Sequence, residues 1–303
     1  MTTMTPKRWV QLFEPKLRKV FFEEYTEKEE QFPRVFTVES SEKRQETDFH
    51  AASLGMWDKH QDTVDYEDYE PGEEVVYKHE TYSKGIKVPF EAAEDDLYDV
   101  IGPRGEGTNK TEALARGARA RAEVAAADIL NEGFTVDGYD GEPLFSDDHP
   151  LEKGGTCGNK IDDELSDTGL KEARTLMRRQ VDGAGLKIQA VGKEVIVPDH
   201  LEYTALEVTE STHKHGTNYN DKNVIGPLIN NVVVLDYLDH EEDYWFLRDP
   251  DFDNLLFFWR IRPEFFSDED IDRFFMKFTG RMRFSCGHSD WRGLVGSDYT
   301  ETE

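Results

Sequence analysis

The stretch TNKTEALARGARARAEVAAADILNEGF, residues 108–134, limits the folds open to this chain more than any other. Its alanine density predicts a long helix. The span Asn109 to Asn131 would run about 33 Å at ~1.5 Å per residue. Asn109-x-x-Glu112 resembles a capping box with Asn in the serine position. Gly133 stands just past the end as a stop signal. The apolar stripe is thin and made of small residues: Leu114, Ala118, Ala122, Ala125, Ile129 and Leu130. Such a helix lies across a sheet or another backbone rather than deep in a core. Arg116, Arg119 and Arg121 line its other faces, either as a solvated surface with local ion pairs or facing nucleic acid.

The rest of the chain reads as strands before this helix and mixed elements after it. VFTVES and EEVVYKHETYSKGIKVPF alternate with period two, and the acidic stretch DKHQDTVDYEDYEPG lies between them. This predicts an extended hairpin with a polar tip. An isolated two-stranded ribbon is marginal in water, so the hairpin must lean on a partner. Upstream, basic and apolar residues interleave between Lys7 and Val20, and Pro15 is expected to break any helix there. This segment reads either as an arm docking on a neighbour or nucleic acid, or as ordinary packing on its own domain. Downstream, TGLKEARTLMRRQ predicts a second helix with Leu170, Ala173 and Leu176 on one face. Gly183 and Gly185 predict a turn, KEVIVP a buried strand, and Asp199 or His200 the start of a third helix. Five short aromatic-rich strands close the chain. No internal repeat is visible. The order predicts an α+β fold.

The charge sets further limits. Sixty-four acids against 36 bases give −28, which repels nucleic acid, anionic membrane and other copies of the chain at long range. No stretch reaches the ~18 apolar residues a membrane helix needs. No apolar leader follows Lys7 and Arg8. The two cysteines, Cys157 and Cys286, lack CxxC spacing and read as reduced thiols. These features point to a soluble product of a cytoplasm.

Tests for chemistry are negative. DGYDGEPLFSDDHP, Asp137 to Pro150, fails as a calcium loop. An EF-hand starting at Asp137 needs ligands where Tyr139 and Gly141 stand, Gly where Glu142 stands, and Glu where Asp148 stands. Asp147, Asp148 and His149 are adjacent, and three adjacent residues rarely converge on one ion. His213-Lys214-His215 reads as a polar loop. There is no HExxH, no GxSxG and no P-loop ending after IGPRGEGTNK. No cofactor or metal is expected, and no enzyme is indicated.

Three stretches carry a family resemblance: YSKGIKVPFEAAEDDLYDVI (82–101), DGEPLFSDDHP (140–150) and DGAGLKIQAVGKEVIVPDHLEYTALEVTES (182–211). In this order, and with DWRGLVGSD near the end, they resemble the Mu-like major head subunits of tailed phages. The resemblance covers residues from about 75 to 298. It implies the Hong Kong 97-type capsid fold, an α+β fold with an N-terminal arm, an extended loop, a peripheral domain with a long spine helix, and an axial domain. Mapped here, these are residues 1–40, 41–95, 96–160 and 161–225, with return strands over 226–303. The chain is more acidic than a typical member. It has no N-terminal scaffolding extension of the family's kind, so a separate scaffold is expected.

The implied function is assembly into hexamers and pentamers of an icosahedral shell around packaged double-stranded DNA. Portal and decoration proteins are further partners, no membrane is involved, and synthesis takes place in the host bacterium. Trp57, Tyr66, Val76 and Tyr77 of the extended loop are the candidate contacts to a neighbouring subunit. Because the shell must hold DNA despite its charge, the inner face is assigned Lys7, Arg8, Lys16, Arg18, Lys19, Arg116, Arg119 and Arg121. The alternatives are an encapsulin-like compartment and, from another class, a metal-dependent enzyme using Asp147, Asp148 or His149.

Overall fold

A computed structural model describes residues 6–49, 56, 57, 59, 74–91, 106–152, 154–213, 222–239, 243–252 and 254–300. Two sheets share one core. The first is built on a long hairpin, β11 (Leu255–Asp270) and β12 (Phe275–His288). It is flanked by β1 (Thr37–Ser40), parallel to β11, and β4 (Glu80–Pro89), antiparallel to β12. The second sheet has the order β7-β13-β10-β8-β9, from Lys160–Ile161, Leu294–Ser297, Trp245–Arg248, Glu194–Val197 and Asn231–Val234. Two short ribbons stand beside them. One pairs β2 (Gln45–Phe49) with β3 (Glu74–Lys78), the other β5 (His149–Pro150) with β6 (Thr156–Cys157).

Period-two alternation sorts the second sheet between two cores. Trp245, Leu247, Val195 and Val197 point to one side, against Leu170, Ala173 and Met177 of α3 (Asp167–Met177) and Ala205 of α4 (Glu202–Glu210). Phe246 and Ile196 point to the other side, into the core shared with the first sheet. All four residues of β10 are buried, as befits a central strand covered on both faces.

α2 (Glu106–Asn131) lies across the first sheet on β12 and β4, as its stripe predicts. Ala122, Ala125, Ala126 and Leu130 enter the shared core, while Leu114 and Ala115 meet α1 (Pro6–Thr26). Small side chains let the helix backbone approach the strands closely. The helix already includes Glu106, upstream of Asn109, so the capping-box pair falls inside it rather than at its start. Glu123 is buried and accepts from the backbone N–H groups of Gln31 (2.6 Å) and Phe32 (3.0 Å), which ties the turn Phe32–Arg34 to α2.

Three further expectations are corrected. Pro15 does not break α1, which runs through it for 21 residues. Pro15 and Gln11, whose carbonyl loses its helical partner, are both exposed, so the lost bond faces solvent rather than the core, and buried Val10, Phe13, Leu17 and Phe21 hold the helix down. VFTVES does not belong to the hairpin: its residues form β1 beside β11. The longer span splits at His79, with β3 in the ribbon and β4 in the main sheet. Nor are all the closing strands short: β11 has 16 residues and β12 has 14, with register shifts between Trp259 and Glu264 around Pro263.

Candidate assembly surfaces

The loop Asp137–Pro150 is a structural turn. Gly138 donates to Glu142 O (2.7 Å), and Gly141 adopts a φ of 80°, which favours glycine. Leu144 and Phe145 are buried, and the Phe145 ring packs 5.0 Å from Phe134 and 5.1 Å from Phe246. A Cβ on Gly133 would come within 2.9 Å of that ring, which accounts for glycine there. His149 is fully buried, and its ring stacks on Trp291 at 4.2 Å. Its Nδ1 lies 2.7 Å from Asp140 Oδ2 and its Nε2 lies 3.1 Å from Asn159 Oδ1. Asn159 is oriented in turn by donating to Leu144 O (2.8 Å) and accepting from Ser146 N (2.9 Å). Burial raises the Asp140 carboxyl, but the interaction with His149 and the backbone N–H groups of Glu142 and Asp140 together outweigh it and hold the group below its ordinary value. Both ring nitrogens are engaged, which leaves none for a metal. Among the described residues no group of His, Cys, Asp and Glu is placed to hold an ion.

The loop residues assigned to subunit contact separate. Trp57 is 93% exposed and Val76 47% exposed. Tyr77 is only 4% exposed, its ring 5.1 Å from Phe258, so it anchors the ribbon to β11 within one chain. Tyr66 lies outside the described residues. At the base of the ribbon, His79 is buried between two hydroxyls: Nε2 lies 2.9 Å from Ser41 Oγ and Nδ1 lies 2.9 Å from Ser285 Oγ. Ser41 donates to Glu46 Oε1 (2.6 Å). Ser41 lies between β1 and β2, and His79 between β3 and β4. The bond therefore clasps both points where the ribbon leaves the sheet. Burial first, then the charge of Arg283, lowers the His79 pKa.

The assigned cations lie on α1 and α2. Lys16, Arg18 and Lys19 are exposed on α1, Arg18 reaching Glu14 (3.2 Å) and Phe265 O (2.8 Å), and Lys19 pairing with Glu23 (3.4 Å). The side chains of Lys7 and Arg8 lie outside the described residues. Arg116 pairs with Glu24 (2.9 Å), and Arg119 donates to the carbonyls of Glu24 (3.1 Å) and Tyr25 (3.4 Å). Those carbonyls belong to the last turn of α1, where Glu24 O also accepts from the Glu27 N–H (3.4 Å). Arg121 sits 4.7 Å over the Tyr82 ring.

Sequence reading missed two surfaces. The tip of the β11–β12 hairpin exposes Ile271 and Phe274, and Phe274 adopts a φ of 53°, rare for a bulky residue. Length misjudged as short strands hid this tip. The second surface is a cationic face of α3 with Lys171, Arg174 and, just past its end, Arg178, beside exposed Val224 and Leu228. Its signal, three cations at i, i+3 and i+7 in an acidic chain, was present in TGLKEARTLMRRQ. Among the described residues no helix is long and apolar enough to cross a membrane.

Two sheets, a long helix laid on one of them, and a projecting ribbon together make the Hong Kong 97-type fold of phage capsid subunits. The capsid protein in the procapsid of bacteriophage JBD30 is 16% identical, with 97% of this chain and 76% of that one covered at a TM-score of 0.53. The native GTA particle capsid gives 13%, 89%, 90% and 0.57 respectively. The virus-like particle from Pyrococcus furiosus gives 12%, 93%, 98% and 0.52. The phage capsid protein family matches residues 72–297, and the chain belongs to that family. No curated protein matches the chain. It is a structural component of a phage capsid, with the fold of tailed-phage major capsid proteins.

Proposed function

We propose that this chain is the main shell subunit of a tailed-phage head, gathering into hexamers and pentamers that close as an icosahedral shell around double-stranded DNA. The family match over residues 72–297 carries this reading. Modest contacts suffice for it, because each subunit makes several at once. The division into arm, extended loop, peripheral and axial parts follows the same reading. The ribbon β2–β3 supports an extended loop over 41–95, although β4 draws the second half of that range into the main sheet. Trp57 and Val76 are its outward candidates for a neighbouring copy. Lys16, Arg18, Lys19 and Arg116, exposed on adjoining helices, support a less negative inner face, with Lys7, Arg8, Arg119 and Arg121 completing the set. A separate scaffold, a portal and decoration proteins are its partners, and the host cytoplasm is its place of synthesis. An encapsulin-like compartment has the fold likeness of the Pyrococcus particle behind it but not the family match.

Electron microscopy of the purified protein, expressed with and without candidate scaffold, tests this reading. Closed shells or capsomer rings are expected. Small globular particles under every condition would overturn it. Reversing the charge of Lys16, Arg18 and Lys19 is expected to lower the yield of filled heads, and normal titres would remove those residues from the inner face.

A further inference from the structure

Two surfaces on the five-stranded unit are complementary. The first is a groove of about 370 Å³ between α3 and the turn Gly226–Leu228. Arg174, Lys171 (paired with Asp167) and Arg178, just past the end of α3, line one side, and opposite them Val224 (59% exposed) and Leu228 are open to water. Arg174 crosses the groove to donate to Leu228 O at 2.9 Å. Partial burial and the neighbouring charge of Arg178 draw its pKa down, against the opposing charge of Asp249. A cationic groove with apolar walls is unusual on a chain of net charge −28.

The second surface is the outer face of α4. Tyr203 is 75% exposed, and Glu207 and Glu210, one and two turns on, are exposed beside it. A tyrosine flanked by carboxylates matches a groove with apolar walls and cations. Tyrosine and arginine are also the side chains that most often carry interface energy. Both helices cover the same face of the sheet, α3 over β7, β13 and β10, and α4 over β8 and β9. The Gly226–Leu228 turn packs on α4, so one molecule carries both surfaces on the same side of the sheet.

We propose that the α3 groove of one copy receives the Tyr203 edge of α4 from a second copy, the phenol packing on Val224 and Leu228 and the two glutamates facing Arg174 and Arg178. The contact is head-to-tail, so it repeats around a ring when the rotation closes. It rests on the shell-subunit reading above and specifies which faces meet.

Charge reversal and cross-linking test the pairing. Arg178, Glu207 and Glu210 are exposed and Arg174 is half-buried, and unchanged thermal melts of Arg174→Glu/Arg178→Glu and Glu207→Arg/Glu210→Arg establish that the variants fold. Each is expected to lower the assembled fraction in sedimentation velocity about tenfold or more, and mixing the two variants to restore it. Tyr203→Cys with Leu228→Cys is expected to give a ladder of disulfide-linked copies within assembled material. Undiminished assembly of the folded reversals, or no ladder in assembled material, overturns the pairing. Shells that form normally but lose DNA would also overturn it, in favour of a nucleic-acid surface. Wild-type protein that never forms rings or shells strikes the shell-subunit reading as well. Wild-type assembly with indifferent variants strikes this pairing alone.

Discussion

A buried histidine set between a carboxylate and an amide is an anchor, and His149 plays that part for the loop that follows α2. The bond to Asp140 is the part of the anchor that responds to pH. The Asp140 carboxyl is held below its ordinary value when folded, because burial is outweighed by the His149 interaction together with the backbone N–H groups of Glu142 and Asp140. Its stabilisation is therefore complete above the ordinary aspartate value and is lost as pH falls through the folded one. Asp140→Asn is expected to cost about 1.5–3 kcal/mol at neutral pH. In urea denaturation, the gap between wild type and variant should close below about pH 4. A gap that persists there would mean that packing, not charge, holds the loop. Cys286 is quiet for a related reason: its thiol donates to Ala125 O (3.1 Å), and burial pushes its pKa up to about 12.

At the scale of elements, local pattern and local structure agree where one face of an element meets one core. α3, β8 and α4 were legible for that reason, since Leu170, Val195 and Ala205 all point into a single cluster. The long helix was legible from its alanines, but Gly133 does not stop it: the chain continues as a 3-10 turn over Glu132–Phe134, and the glycine makes room for the Phe145 ring. Pairing partners were not legible. Alternation in VFTVES reads the same whether its neighbour is the ribbon or β11, and only the far end of the chain supplies β11. His79 was silent for a similar reason, because Ser41 and Ser285 meet it only once three strands have come together.

The clasp at His79 makes the ribbon sensitive to acid. Burial favours the neutral ring, so its folded pKa lies below the unfolded value of about 6.5. The stability it contributes is present above that value and is lost as pH falls toward the folded one. Glu46 on β2 opposes this shift, while Arg283 on β12 and Arg260 on β11 reinforce it. Amide protection of Gln45–Phe49 and Glu74–Lys78, corrected for intrinsic exchange, should fall as the protein is acidified below about pH 6.5. In His79→Gln it should stay flat over the same range. On α2, Gly117 is exposed, and a Cβ there would meet nothing within 4 Å. Gly117→Ala is therefore expected to stabilise the fold by about 1 kcal/mol, read as a raised denaturation midpoint.

For the whole molecule, the charge of −28 sets the conditions for assembly. Repulsion between entire subunits acts over tens of ångströms, and the screening length shrinks from about 30 Å at 0.01 M salt to about 8 Å at 0.15 M. Contacts at hydrogen-bond range in a partly buried groove are screened far less. Light scattering should therefore show faster assembly as salt rises across that range, and slower assembly would mean that attraction between charged faces dominates.

The strand order also sets a timetable. The middle of the first sheet is β11 and β12, and the middle of the second is β10 with β13 beside it. All four come from residues 245–297, while β1, β4, β7, β8 and β9 supply the flanks. A ribosome must therefore reach residues 245–297 before either sheet has a centre to pair with. Until then β1, β4 and β7 lack the strands they pair with, while β8 and β9 have only each other and α4. A chain stopped short of these strands would lack the centre of both sheets, and with it the finished faces that the assembly contacts need.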